Sequence, residues 1–471
     1  MRRKLKYAAA AAAGVLLLLW LFCLPHDLFE GTTYSTVVTD RNGALLGARV
    51  ADDGQWRFPP RDTLPEKFVK ALVEFEDRTF FDHCGVSPRA LVRAAIQNIR
   101  NGRIVSGGST LTMQVIRLSR QKPRTLWQKL VETCMATRLE LRCSKEEILR
   151  LYAAHAPFGG NVVGIDAARW RYLGSDRTEL SWAEAATLAV LQNAPSSIHL
   201  ARNRDQLLAK RNRLLARLHA KGEIDEEDYA LALEESLIGE PYPMPQYAPH
   251  LVEWYDRKAH GQRTVTHIDR DLQHRMEEVL VRWNRELRQK GIRDLAAIIV
   301  EVESGEPAAY CGNSDLSFDR DGKWVDIARS PRSSGSILKP LLYAAALERG
   351  TILPNSLLPD VPMDFGGFAP KNFNGSFAGA IEADQALALS LNIPNVYLLK
   401  EYGILRFVET LREAGLKTLS RPADEYGLSL ILGGAEVTLV EITACYAKMA
   451  ACYRDSTRYP SFPLHDRIAL Y

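Results

Sequence analysis

The chain has little of what marks several common protein classes. Its seven cysteines (Cys23, Cys84, Cys134, Cys143, Cys311, Cys445 and Cys452) contain no Cys-x-x-C pair, and an odd number cannot all pair within one chain. That argues against a disulfide scaffold and a cysteine zinc cluster; buried free thiols are expected instead. Neither sign of charge is in large excess. Lys+Arg 60 against Asp+Glu 57 leave a formal +3, so no global basic field draws in nucleic acid. There is no internal repeat, and the one low-complexity tract is Ala8–Ala13. What is present, 46% hydrophobic and 25% charged residues over 471 positions, suits a folded chain of two or three domains.

The one long hydrophobic run lies at the N-terminus. Arg2, Arg3, Lys4 and Lys6 precede an apolar stretch from Ala8 to Leu24. Its length is at the lower limit for a spanning helix, and Tyr7 and Trp20 supply interfacial aromatics. The run ends Trp20-Leu21-Phe22-Cys23-Leu24-Pro25, without the small-x-small site of a cleaved signal peptide. Bulky Leu21 and Phe22 argue against a lipid anchor at Cys23. The expectation is a cytoplasmic tail at 1–7, a single-pass transmembrane anchor at 8–24 and an outward-facing body.

Within that body, residues 30–60 alternate around two turns, Asp40–Gly43 and Asp52–Gly54, and predict a short membrane-proximal strand pair. A helical domain is expected at 61–222. Capping boxes at Ser144-x-x-Glu147 and Ser181-x-x-Glu184 open two of its helices, and Gly222 stops a helix over Asp205–Ala220. Pro241, Pro243, Pro245 and Pro249 make a stiff linker within 223–263. An α/β region at 264–471 opens with a strand at Ala296–Val302 and a return strand at Pro307–Cys311. Helices are expected over Ile337–Glu348 and Ala386–Tyr402.

Two groups of residues carry chemistry. The first begins with Glu76-Asp77-Arg78-Thr79-Phe80-Phe81-Asp82-His83-Cys84-Gly85, in which Asp77 and Arg78 taken alone read as a solvated face. Ser106-Gly107-Gly108-Ser109-Thr110-Leu111-Thr112-Met113-Gln114 follows as a glycine-rich turn entering a helix, whose N-terminal amides suit an anion. Arg117, Arg124, Lys129 and Glu132 come next, with Lys129 and Glu132 on one helix face. The second group is Ser336-Ile337-Leu338-Lys339, which sets a hydroxyl one helical turn from an amine that can serve as its base. Ser390-Leu391-Asn392 lies downstream.

Together these motifs resemble the bifunctional (class A) penicillin-binding proteins of the 1C type. The peptidoglycan glycosyltransferase signatures appear in order as Glu76–Gly85, Gly107–Gln114, Arg124–Glu132 and Tyr152-Ala153-Ala154-His155-Ala156-Pro157-Phe158-Gly159. Leu358–Pro362, Phe365–Pro370 and Tyr426–Val437 join Ser336, Lys339, Ser390 and Asn392 in resembling the transpeptidases. The sequence departs from the family at Ala154, where Asn is usual, at Ser87, where Asp is common, and at Gln128, where a second basic residue often stands. No K-T-G motif appears. Lys417-Thr418-Leu419 is the nearest string, so the second domain is expected to be truncated before that strand.

The resemblance implies a mostly α, lysozyme-like glycosyltransferase domain followed by an incomplete α/β domain of the serine β-lactamase-like fold. It implies extension of glycan strands from a lipid II-type undecaprenyl-diphosphate disaccharide-peptide at the periplasmic face of the bacterial inner membrane. Glu76 would be the general base and Glu132 the second carboxylate. Ser109, Thr110, Gln114, Arg117, Arg124 and Lys129 would bind substrate. Ser336 would be the acyl nucleophile, Lys339 its base, and Ser390 and Asn392 their partners. No cofactor is required, although Glu132 could instead hold a divalent ion, Mg or Mn. Expected partners are lipid II, the growing glycan strand, the membrane and other cell-wall synthesis proteins, with no nucleic acid. Without K-T-G, acylation by β-lactams should be slow or absent. A carboxylate pair also suits a lysozyme-like hydrolase, but a basic cluster serves a diphosphate leaving group and not neutral glycan. A non-catalytic scaffold is the remaining alternative, suggested by Ala154 and Gln128.

Overall fold

The computed structural model describes residues 2–101, 108–123, 125–174, 179–192, 203–239 and 241–454. The chain divides into two units, one built from residues 1–39, 43–246 and 252–265, the other from 40–42, 247–251 and 266–471.

In chain order the first unit begins with α1 (Arg2–Leu21), β1 (Thr36–Thr39), β2 (Leu45–Arg49), β3 (Trp56–Arg57), α2 (Glu66–Glu76) and α3 (Pro88–Asn101). Next come α4 (Leu111–Arg120), α5 (Leu126–Glu140), α6 (Lys145–His155), β4 (Pro157–Gly159), β5 (Val162–Val163) and α7 (Ile165–Leu173). It continues with α8 (Trp182–Leu191), α9 (Arg204–Ala220), α10 (Glu226–Glu234), α11 (Pro249–Lys258) and β6 (Arg263–Val265).

The N-terminal segment is helical, but among the described residues no helix is long and apolar enough to cross a membrane. Helix α1 begins in the basic cluster and stops at Leu21, so the expected span at 8–24 loses its last turn. Only Ala8 to Leu21 is both apolar and helical, short of the roughly 20 residues that a bilayer asks for. The predicted strand pair is present as β1 and β2, antiparallel across the Asp40–Gly43 turn. Beyond the second turn the chain leaves that pair: β3 joins β5 and β4, and β6 takes the other edge of β1 in parallel. Pro249 opens α11 rather than extending the connector, because its fixed φ suits a first helical turn.

Helix α8 lies at the centre of this unit. Trp182, Ala183 and every residue from Ala185 to Leu191 are buried, which is why its sequence is apolar on all faces. Helix α2 packs against it through Phe68, Ala71 and Leu72, spaced i, i+3, i+4. Both capping boxes form as written, Ser144 with Glu147 on α6 and Ser181 with Glu184 on α8. Buried Glu74 accepts from Arg78 at 2.9 Å and lies 3.6 Å from Arg217, tying α2 to α9.

The second unit contains α12 (Arg270–Arg288), β7 (Ala297–Val300), β8 (Pro307–Cys311), β9 (Arg332–Ser333), α13 (Lys339–Glu348), β10 (Leu357–Asp360) and β11 (Gly379–Glu382). Then follow α14 (Ala383–Ala388), α15 (Asn392–Tyr402), α16 (Ile404–Glu413), α17 (Ala423–Tyr426), β12 (Glu436–Val437) and α18 (Leu439–Arg454). The hairpin β7–β8 covers Met276 of α12. A larger core joins Leu342, Val396, Leu399, Phe407 and Leu411. The single helix expected at Ala386–Tyr402 is two, broken at Ser390, whose φ of 51° is left-handed. All seven cysteines are free, as expected, but only Cys311 and Cys445 are buried, while Cys84 and Cys134 are exposed.

Gly85 closes the first motif at a φ of 90°, and a Cβ there would meet the Ala136 carbonyl oxygen of α5 at 2.6 Å. Gly222 has a φ of 77° with nothing within 4 Å. Gly222→Ala should therefore cost only the left-handed backbone penalty, about 1–2 kcal/mol. Gly85→Ala should cost about 2 kcal/mol more, because backbone must move. Denaturant unfolding of the two variants tests the ranking, and equal losses would refute the close approach.

Candidate active site

Helix α2 ends at Glu76 because the next residue turns away: Asp77 has a φ of −153°. The Asp77 carboxylate is not on a solvated face. It is buried, and its Oδ2 accepts from the backbone N–H of Leu111 and pairs with His83 Nε2, each at 3.0 Å. One side chain thus stops α2 and seats the first turn of α4. Thr110 caps α4 by accepting from Met113 N at 3.2 Å and gives its own hydroxyl proton to Gly85 O at 2.6 Å. Two N-terminal amides expected to face an anion are therefore occupied within the protein. Arg78 does reach the surface, from where it pairs with Glu74.

Helix α4 carries Gln114 and Arg117 one turn apart, and each holds a glutamate. Gln114 Nε2 donates to Glu76 Oε2 at 2.8 Å. Arg117 Nη2 donates to Glu132 Oε2 at 3.1 Å and to Ser109 Oγ at 3.0 Å, while its Nε lies 3.3 Å from the same carboxylate. Tyr152 donates to Gln114 Oε1 at 3.4 Å, which fixes the amide with its nitrogen toward Glu76. Burial first, then the nearby Glu76 charge, hold the Tyr152 hydroxyl well above its ordinary range, so it stays protonated.

Neighbouring His155 stacks on Phe29 at 3.4 Å, gives its Nδ1 proton to Leu151 O and receives one from Tyr34 at Nε2. Burial lowers its pKa to about 4, keeping it neutral in this role.

Lys129 is half-buried on α5, but the partner of Glu132 is Arg117 and not Lys129. Arg124 lies outside the described residues. Among the described residues no group of three His, Cys, Asp or Glu could hold a metal ion. Of the departures, Ser87 accepts from Ala90 N and so caps α3. Ala154 lies buried beside Arg61, Arg150 and Asp166. The Gln128 backbone N–H donates to the capping Thr125.

The second unit gathers its own constellation. Lys339 opens α13 and is 1% exposed. Its Nζ donates to Ser390 O at 2.7 Å, Ser390 Oγ at 3.2 Å and Asn392 Oδ1 at 2.8 Å. Burial lowers its pKa to about 8. Ser336 is exposed in the turn leading into α13, its carbonyl accepting from Lys339 N at 3.1 Å. Thr418, in the string nearest to K-T-G, lies in a turn and binds Glu441 through its backbone N–H and its hydroxyl.

Sequence reasoning passed over Asp77 and His83 as site-forming residues. Their six-residue spacing just past the end of α2 was the available signal.

Residues 43–219 match the transglycosylase family and residues 295–451 match the penicillin-binding protein transpeptidase domain. The chain is 40% identical to penicillin-binding protein 1C of Escherichia coli over 88% of its own length and 54% of that protein. It is 29% identical to penicillin-binding protein 1B of Vibrio cholerae over 85% of the chain and 54% of that protein. It thus spans about half the length of these relatives. A crystal structure of penicillin-binding protein 1A from Haemophilus influenzae aligns over 88% of this chain and 68% of that one, with a TM-score of 0.42 and 18% identity. With a transglycosylase domain and a transpeptidase domain in one chain, this protein belongs to the bifunctional, class A penicillin-binding proteins.

Proposed function

We propose that the first domain polymerises a lipid II-type disaccharide-peptide diphosphate into glycan strands, with Glu76 as general base. A sugar hydroxyl attacks the anomeric carbon, the bond from that carbon to the diphosphate oxygen breaks, and Glu76 takes the hydroxyl proton. The observation that carries this reading is α4, which orients Glu76 through Gln114 and holds Glu132 through Arg117. The diphosphate that leaves is anionic and needs fixed cations. Arg117 supplies one, oriented by Glu132 and Ser109. Lys129 and Arg124 are proposed as the others, with Thr110 supporting the motif rather than touching substrate. Glu132 could hold a divalent ion only by giving up Arg117.

We further propose a single-pass anchor at 8–24 in the inner membrane, with both domains on the periplasmic side; the full 20 residues of α1 supply the length that its apolar part alone lacks. The basic residues that precede the apolar run support it. Growing glycan and other cell-wall synthesis proteins would be its partners there. In the second domain Ser336 would be the acyl nucleophile and Lys339 its base. The low exposure of Lys339 supports this reading, because a neutral amine is what a serine needs.

Glu76→Gln should lower glycan-strand formation from lipid-linked disaccharide by about 100-fold or more while leaving substrate binding intact. Near wild-type polymerisation would sink the assignment. Lys129→Met should weaken binding of diphosphate-bearing substrate about tenfold and leave neutral glycan binding unchanged; equal losses would indicate a folding role.

For Ser336 the test is covalent labelling by a fluorescent penicillin against a Ser336→Ala control. Only the neutral form of Lys339 accepts a proton, and that form grows as pH rises through about 8. The labelling rate should therefore climb from pH 6.5 to 9 and level off above, with a midpoint near 8. A rate that is flat or falls across that range would exclude Lys339 as the base.

A further inference from the structure

The start of α15 is held by a residue from outside its own chain segment. Its N-cap residue, Leu391, has no side chain able to accept from the first free amides. Those amides go to Asn372, 20 positions upstream: Asn392 N and Ile393 N donate to Asn372 Oδ1 at 3.0 and 3.4 Å. The other end of the same carboxamide is equally engaged. Asn372 Nδ2 donates to Asp360 Oδ1 at 2.7 Å and to Ser376 O at 2.9 Å. Asn372 is 4% exposed and Asp360 1%, and the second Asp360 oxygen accepts from Ala378 N at 2.8 Å. All four hydrogen-bonding positions of the Asn372 amide are filled, so its orientation is fixed. The preceding residue adds a second grip, because Asn392 Nδ2 donates to Lys371 O at 2.8 Å.

Asn392 is therefore pinned at its backbone and at its side-chain nitrogen, which leaves Oδ1 facing Lys339 Nζ at 2.8 Å. Beside it, Ser390 is held at its left-handed φ by the Lys339 bond to its carbonyl. We propose that Asn372, oriented by Asp360, is a positioning residue of the acyl site, fixing Asn392 as an acceptor for the Lys339 amine. An ordinary cap would need only one acceptor for an N–H. The donor side of the amide and its buried carboxylate serve to choose which way the acceptor points.

The proposal rests on Ser336 being the acyl nucleophile, so the experiment reads the amine separately from acylation. In the full chain, competitive acetylation by acetic anhydride across pH 6–11, followed by peptide mass spectrometry, gives the Lys339 titration directly. Wild-type Lys339 should titrate near 8. In Asn372→Ala the first turn of α15 loses its acceptor and water reaches Nζ. The midpoint should rise by about one pH unit, and penicillin labelling at pH 7.5 should fall about tenfold. Asp360→Asn, which keeps Asn372 but replaces the carboxylate that orients it with a neutral amide, should move both readings in the same direction by a smaller amount. A folded Asn372→Ala protein whose Lys339 titrates as in wild type overturns the proposal. So does an Asp360→Asn protein that is destabilised while its Lys339 titration stays where wild type has it. If circular dichroism shows Asn372→Ala unfolded, Asn372→Ser takes its place under the same criteria. A wild-type chain that takes up no penicillin, yet whose Lys339 titration moves with Asn372, counts against acylation of Ser336 in this chain and leaves the positioning role intact.

Discussion

The Asp77 carboxylate is the contact on which the candidate site of the first unit depends. It is a buried polar group, costly unless paired, and it is paired twice: with a ring nitrogen of His83 and with the first amide of α4. Leaving the helix at Asp77 makes Glu76 the last residue of α2. Accepting from Leu111 sets where α4 begins. The rotation of α4 then decides that Gln114 meets Glu76 and Arg117 meets Glu132. Gly85 extends the same arrangement, since only a residue without Cβ lets the loop lie on the Ala136 carbonyl of α5. Three helices carrying the reactive groups are thus fixed by a few short polar contacts rather than by the apolar core alone.

The second domain solves a related problem with opposite charge. Lys339 is buried, and its ammonium form is satisfied by three oxygens. Those bonds favour the charged amine, while burial disfavours it; with the pKa lowered to about 8, burial wins. The balance leaves the amine well stabilised in place yet able to lose its proton near neutral pH. A guanidinium keeps its charge at any ordinary pH whereas an amine can lose its proton, which suits an arginine to the proposed anion site and a lysine to the proposed proton transfer.

Much of this was legible because it depends on local chemistry. The boxes at Ser144 and Ser181 are written within four residues, and the β7–β8 hairpin follows from a β-branched run and a turn. The ordered motifs named Glu76, Gln114, Arg117, Glu132, Ser336, Lys339 and Asn392. What was not legible is pairing across sequence distance. Lys129 and Glu132 share a helix face, yet Glu132 turns to Arg117 on another helix. Asp77 looked like surface because its partners lie 6 and 34 residues away. The helix at Ala386–Tyr402 looked continuous because nothing local announces that Ser390 will adopt a left-handed turn. That turn is stabilised by a lysine 51 positions earlier.

The pairing of Glu132 with Arg117 bears on how the leaving diphosphate is met. An arginine already bonded to a carboxylate has part of its field neutralised, so it cannot alone offset a charge that develops as the anomeric bond breaks. Its fork geometry still leaves room to orient: Nη2 reaches Ser109 while also serving Glu132. Lys129, on the same helix as Glu132, makes no ion pair with a described residue. No described carboxylate offsets its charge. The division of labour that follows is physical. In the proposed reaction the bonded arginine would add a reduced field and set position, because a bonded group is already ordered and loses little entropy on binding. In the proposed reaction the half-buried lysine would supply field, because no described side chain compensates its charge where water is partly excluded. Removing the lysine should therefore act on anion affinity, whereas removing Glu132 should act first on the placement of Arg117.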